Sequence, residues 1–147
     1  MRKIKTITLC SSAAFYKTVG QIKEELTALH YKVLMPHTAE RMRKSGDYDV
    51  NHYKIWFKDP RQYGRKSYLM RRHFAEVAKA DAILVINLEK RRQKGYIGGN
   101  VLMEMGLAFY LRKRIFILNQ IPKKSPLYEE VVGMMPTFIN GDLKKLV

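Results

Sequence analysis

Ala80-Asp81-Ala82-Ile83-Leu84-Val85-Ile86-Asn87 carries the strongest structural signal in the chain. Its apolar run over residues 82–86 is unbroken, and such a run reads as a strand buried on both faces, as the central strands of parallel sheets are. Parallel neighbours need crossover connections, usually helices. The flanks supply them. Upstream, Ser67 to Lys79 reads as a helix with Leu69, Met70, Phe74, Val77 and Ala78 on its inner face. Downstream, Gly95-Tyr96-Ile97-Gly98-Gly99-Asn100 makes a tight loop and Val101–Leu111 a second helix.

Further out the alternation repeats. Residues 4–10 (IKTITLC) form a strand, stopped by Ser11-Ser12, whose hydroxyls suit a helix start. From Phe15 to Leu29, apolar residues recur as Phe15, Val19, Ile22, Leu26 and Leu29, giving a helix with one buried stripe. Tyr31–Met35 is a second strand, halted by Pro36. Residues 37–66 are polar, basic and aromatic, with Gly46, Pro60 and Gly64 as breakers, and read as an irregular or partly helical excursion over a site. Arg114–Leu118 is a strand, Leu127–Val132 a short helix and Thr137–Ile139 a last strand. Five strands alternating with helices predict an α/β domain with a doubly wound parallel sheet. In such a sheet the ligand crevice lies beyond the carboxyl ends of the strands, so Cys10–Phe15, Pro36 onward, Asn87–Asn100 and Asn119–Pro126 are the loops that matter.

The chain of 147 residues, 46% hydrophobic and 28% charged, is one domain's worth of globular sequence. No apolar run approaches the roughly 18 residues of a membrane span, and the basic start lacks the apolar core of a signal peptide. A cytoplasmic, soluble protein is expected. With a single cysteine, Cys10, no internal disulfide is available. The net charge of +15 favours phosphate-bearing partners. The excess is concentrated between Arg41 and Lys94, with 15 basic and 6 acidic residues. Those clusters suit nucleic acid, nucleotide phosphates or simply water.

One residue in the helix after the central strand stands apart. Val101-Leu102-Met103-Glu104-Met105-Gly106-Leu107-Ala108 holds a single charged side chain, Glu104, with no basic residue three or four positions away. With Asn100 as the N-cap, Glu104 falls one position beyond the capping-box site. A carboxylate in apolar surroundings facing a crevice marks a functional site. The alternative is a partly buried Glu bonded to backbone amides or to a basic residue of 41–94.

These three segments, 80–87, 95–100 and 102–108, resemble the nucleoside 2-deoxyribosyltransferase-like family, which includes 2′-deoxynucleoside 5′-phosphate N-hydrolases. The resemblance runs through nearly the whole chain, to Asn140-Gly141-Asp142, and is specific from Asp81 to Ala108. It implies a flavodoxin-like fold, and it makes Glu104 the nucleophile that attacks C1′ of the sugar, expels the base and holds the sugar for water or a second base. An ionised carboxylate suits that chemistry because C1′ becomes oxocarbenium-like. The leaving base needs a proton. Here the chain departs from the family. The acids expected eight residues before Asp81 and six before Glu104 are His73 and Gly98, and a first-strand tyrosine is replaced by Thr8. His73 is then the candidate acid, if its pKa lies near neutrality, or else a surface residue of a basic helix. Asp81, at the amino end of the central strand, reads as structural.

For substrate binding, the candidates are Ser11 and Ser12 in the first loop, Tyr96, Gly98 and Gly99 in the glycine loop, and Asn140 after the last strand. The serines are phosphate-loop hydroxyls or turn residues, and Gly98-Gly99 lets backbone approach a ligand closely. By resemblance the Asn140 region reaches a neighbouring subunit's site, implying a homodimer or higher oligomer. Tyr48, Tyr53, Trp56, Phe57 and Tyr63, interleaved with Lys54, Lys58 and Arg61, stack a base or cover the core. Cys10, His30 and His37 have no metal-ligand spacing, so no metal and no cofactor are assigned. A nucleotide-sensing module and a basic nucleic-acid-binding protein are the rival readings.

Overall fold

The computed structural model describes residues 2–147. Its centre is β3 (Ala82–Ile86), buried at every position. β1 (Thr6–Ser11) lies on one side of it and β4 (Arg114–Ile117) on the other; β2 (Lys32–Leu34) and β5 (Thr137–Phe138) form the edges. The order is β2-β1-β3-β4-β5 and every pair is parallel, with Leu9 opposite Leu84 and Leu84 opposite Phe116. This is the flavodoxin-like order, and its reversal falls between β1 and β3.

Alternation along the strands divides the core into two layers. Ile7, Leu9, Leu84, Ile86 and Phe116 pack against Val19, Ile22 and Leu26 of α1 (Tyr16–Ala28). Cys10, Ile83, Val85, Ile115 and Ile117 pack against Val77 of α3 (Tyr63–Lys79), Val101, Met105 and Ala108 of α4 (Gly99–Tyr110), and Val131 of α5 (Tyr128–Gly133). Asp81 ties the amino end of the sheet: its Oδ2 accepts the backbone N–H groups of Lys5 and Thr6, both at 2.9 Å. Among the described residues no helix is long and apolar enough to cross a membrane.

Local physics corrects several boundaries. The first helix is preceded by a 3-10 turn, Ala13–Phe15, because the Ser12 hydroxyl accepts from the Ala14 N–H and tightens the chain. The excursion after β2 opens as a regular helix, α2 (His37–Ser45), which ends at Gly46 in the left-handed conformation. Three 3-10 turns follow, and Asp49 and Asp59 cap two of them. α3 starts at Tyr63 rather than Ser67, and its inner face differs from the expected one: Ala78 is exposed, whereas His73 is buried one turn before Val77. The N-cap of α4 is Gly98, not Asn100, so Asn100 lies inside the first turn with its side chain free for another use.

Candidate active site

Val101, Glu104, Met105 and Ala108 occupy one stripe of α4, so the periodicity that buries the helix also forces Glu104 inward. Glu104 is only 2% exposed. Its Oε1 accepts a 2.7 Å hydrogen bond from Asn100 Nδ2, four residues earlier on the same helix. Its Oε2 is buried and has no hydrogen-bond partner. Buried Asn87 shows what a satisfied polar side chain looks like in this fold, since its Nδ2 donates to the Asn119 carbonyl and its Oδ1 accepts the Asn119 N–H. A half-satisfied buried carboxylate is costly unless it is used.

The nearest titratable neighbours come from two other elements. His73 Nε2 of α3 lies 3.4 Å from Glu104 Oε2 and 3.7 Å from the Sγ of Cys10 on β1. The first contact is an ionic approach without hydrogen-bond alignment, consistent with the unsatisfied oxygen. On its far side, His73 Nδ1 meets Glu76 Oε2 at 3.1 Å. Burial drives this imidazole toward its neutral form, but the contacts with Cys10, Glu104 and Glu76 outweigh burial and hold its pKa well above the ordinary histidine value. Burial and then the Glu104 charge push the Cys10 thiol up to about 12, so it is a protonated thiol and not a nucleophile. Burial likewise raises the Tyr16 phenol.

A cleft opens on this group, lined by Tyr16, Pro36, Met42, Lys66, His73 and Glu104 among others, with Val50, Tyr53, Lys54 and Trp56 of the excursion on its outer side. It encloses about 60 Å³, well below the roughly 300–1,000 Å³ of small-molecule sites, so a nucleoside-sized ligand requires the cleft to widen. Trp56 is buried, with Lys66 Nζ 5.7 Å from its ring centroid. Lys66 Nζ also donates to Asn100 Oδ1 at 3.4 Å, which turns the amide's NH₂ toward Glu104. Burial lowers the pKa of both Lys54 and Lys66.

Of the residues singled out in the sequence, Glu104, His73, Tyr53 and Trp56 meet in the cleft, and the proposed binding residues Ser11, Ser12, Tyr96, Gly98, Gly99 and Asn140 are not part of its lining. The Ser11 hydroxyl is turned back onto the Ser12 carbonyl. Ser12 sits beside the cleft residue Ala13 and accepts from Lys90 Nζ at 3.1 Å, and the same ammonium lies 5.0 Å from the Tyr96 ring centroid. Tyr96 stacks edge-on against Phe15. Gly98 has ordinary φ, and a Cβ on Gly99 would meet nothing within 4 Å. Asn140 pairs with Gln120 and does not line the cleft. Thr8 donates its hydroxyl to the Glu76 carbonyl, a structural bond. Sequence reasoning misses Cys10, Tyr16, Lys66 and Glu76 as neighbours of Glu104, and it assigns Asn100 to a cap. Only Glu76 has a local signal, its spacing of three from His73 on a helix.

No family model matches the chain, and no curated protein sequence does. Among solved structures, the 2-deoxyribosyltransferase of the psychrotolerant bacterium Bacillus psychrosaccharolyticus is similar, with a TM-score of 0.60 and 16% identity over 96% of this chain and 95% of that one. At that identity the likeness establishes the fold: a flavodoxin-like α/β domain with five parallel strands.

Proposed function

We propose that the chain cleaves or exchanges the N-glycosidic bond of a (deoxy)nucleoside or its 5′-monophosphate, with Glu104 as nucleophile. The observation that carries this reading is the buried Glu104 carboxylate, one oxygen fixed by Asn100 and the other unpartnered beside a cleft. The fold shared with a 2-deoxyribosyltransferase supports it. In the first step Oε2 forms a bond to C1′ as the C1′–N bond breaks, and its electron pair leaves with the base. His73 Nε2 supplies a proton to that base, and Glu76 steadies the imidazolium through Nδ1. In the second step water or an acceptor base attacks C1′ from the opposite side, releases Glu104 and restores the original anomeric configuration.

Ser12, next in sequence to the cleft residue Ala13, and Lys90 favour a 5′-phosphate, since this ammonium and hydroxyl already share a hydrogen bond that a phosphate oxygen can replace. Trp56 and Tyr53 are the aromatic faces available to a base. The test is chromatography of free bases after incubation with ribo- and deoxyribonucleosides and their 5′-monophosphates, with and without acceptor base. Base release that disappears in Glu104→Gln supports the reading, and new nucleosides appearing only with acceptor make it a transferase. A folded wild-type protein that releases no base from any substrate overturns it.

A further inference from the structure

We propose that Cys10, His73 and Glu104 form a binding site for a borderline-soft divalent cation such as zinc, and that the ion blocks the active site. The blocking half rests on the reading of Glu104 as nucleophile; the binding half does not.

The Sγ of Cys10, a ring nitrogen of His73 and a carboxylate oxygen of Glu104 all lie within 4.8 Å of one another. Zinc bonds of about 2.0–2.3 Å in a tetrahedron set ligand-to-ligand edges of about 3.4–3.6 Å. Two of the three edges are at or close to that length: Sγ to Nε2 is 3.7 Å and Nε2 to Oε2 is 3.4 Å. The third, no longer than 4.8 Å, closes with a shift of at most about 1.4 Å, within reach of a Glu χ rotation. The three ligands come from β1, α3 and α4, which the sheet and its helical layer hold together.

The surroundings fit a metal as well as the ligands do. A metal-bound imidazole usually donates its other N–H to a carboxylate, and Glu76 stands on Nδ1 at 3.1 Å. A ligating carboxylate is itself held by a hydrogen bond, and Asn100 holds Oε1. The remaining oxygen, Oε2, is the one buried side-chain oxygen or nitrogen among the described residues without a hydrogen-bond partner, and it points at the other two ligands. A sulfur ligand selects zinc, cobalt or cadmium over magnesium and calcium, which take oxygen donors. With three protein ligands the fourth position stays open, and His73 and Glu104 line the cleft that leads to it. When the cation binds, Cys10 coordinates as thiolate and its proton passes to solvent; His73 coordinates through unprotonated Nε2 while its Nδ1–H donates to Glu76.

Cobalt(II) is the probe. The chain has one cysteine, so a thiolate-to-cobalt charge-transfer band in the near ultraviolet can arise only from Cys10. Titration of the full chain with Co²⁺ is expected to give that band, saturating at one equivalent and displaced by Zn²⁺. Cys10→Ser should abolish the band, and Glu104→Gln should weaken Co²⁺ binding at least tenfold, with circular dichroism confirming both folds. Saturating Co²⁺ without the band, or unchanged affinity in folded Cys10→Ser, overturns the site and leaves adventitious surface binding. If Cys10→Ser does not fold, the wild-type spectrum decides. Zinc is also expected to suppress base release, reversibly by chelation. Base release that persists under saturating zinc overturns the blocking half. A cobalt spectrum in a protein that never releases base removes the glycosidic reading alone.

Discussion

On one side of the sheet, Leu9, Leu84 and Ile86 meet Val19, Ile22 and Leu26 in an apolar seam; on the other, Cys10, His73 and Glu104 are buried beside Val77, Val101 and Met105. The strands are the same, and alternate residues along them decide which environment each side chain enters. The α1 side gains free energy by excluding water. The α3 and α4 side gives some of that up by burying a carboxylate with an unpartnered oxygen, an arrangement typical of a site kept for chemistry or binding. Substitutions on the first side should therefore cost stability, and those on the second should cost reaction rate.

The largest effect is expected at Glu104. Glu104→Gln keeps the shape and the Asn100 contact through one oxygen but removes the proposed nucleophile, so base release should fall at least a thousandfold, about 4 kcal/mol of transition-state stabilisation. Circular dichroism should show the variant folded, which separates the loss of chemistry from the stability lost when His73 loses a buried charge partner. Next comes the apolar side. Leu84→Ala leaves a cavity in the fully buried seam and should cost about 2–5 kcal/mol of stability, with the turnover of the folded fraction unchanged. A Leu84→Ala variant that loses turnover while fully folded would break the division between the two sides.

Glu76 tests the same division more finely, because it touches His73 and not the cleft. His73 donates a proton in the proposed first step, so activity should fall as pH rises through its raised pKa. Glu76→Gln should move that alkaline limb to lower pH and reduce turnover about tenfold. Stability follows the same sign. An imidazole whose pKa is higher in the folded than in the unfolded chain contributes fully below about pH 6.5, and the contribution is lost as pH rises through the folded value. The groups facing the ring are Cys10 from β1, Tyr16 from α1, Glu76 from its own helix and Glu104 from α4. His73→Gln should flatten the pH dependence of the urea midpoint above neutrality, and an unchanged slope would reject this account of the cluster.

The apolar run at 82–86 and the single charge within 101–108 are enough to predict a parallel sheet and to single out Glu104, because burial of a strand or a helix stripe is a periodic property of the sequence. The partners of Glu104 are not legible in the same way. Cys10, His73 and Glu104 are separated by 63 and 31 positions, and only the pairing of β1 with β3 and the packing of α3 on α4 bring them together. His73 also defeats the periodicity, since hydrophobicity alone points Ala78 inward while the histidine takes the buried position. Asn100 looks like a cap because its residue type favours caps, but Gly98 takes that position and leaves the amide for Glu104.

The smallest effect, at Gly99, is set against a glycine that looks alike in sequence. Gly95 has φ +62, and a Cβ there would lie 2.4 Å from the Gln120 carbonyl oxygen, so Gly95→Ala should cost about 2 kcal/mol or more through backbone strain and collision. Gly99 has neither constraint: it begins α4, an added methyl would find nothing within 4 Å, and alanine is the better helix former. Gly99→Ala should therefore stabilise the protein by a few tenths of a kcal/mol, up to about 1 kcal/mol, in urea denaturation. If the same variant raises KM for a 5′-monophosphate, the open space is used by the substrate approaching the backbone. Unchanged KM would make the glycine a feature of the loop alone, with no part in substrate contact.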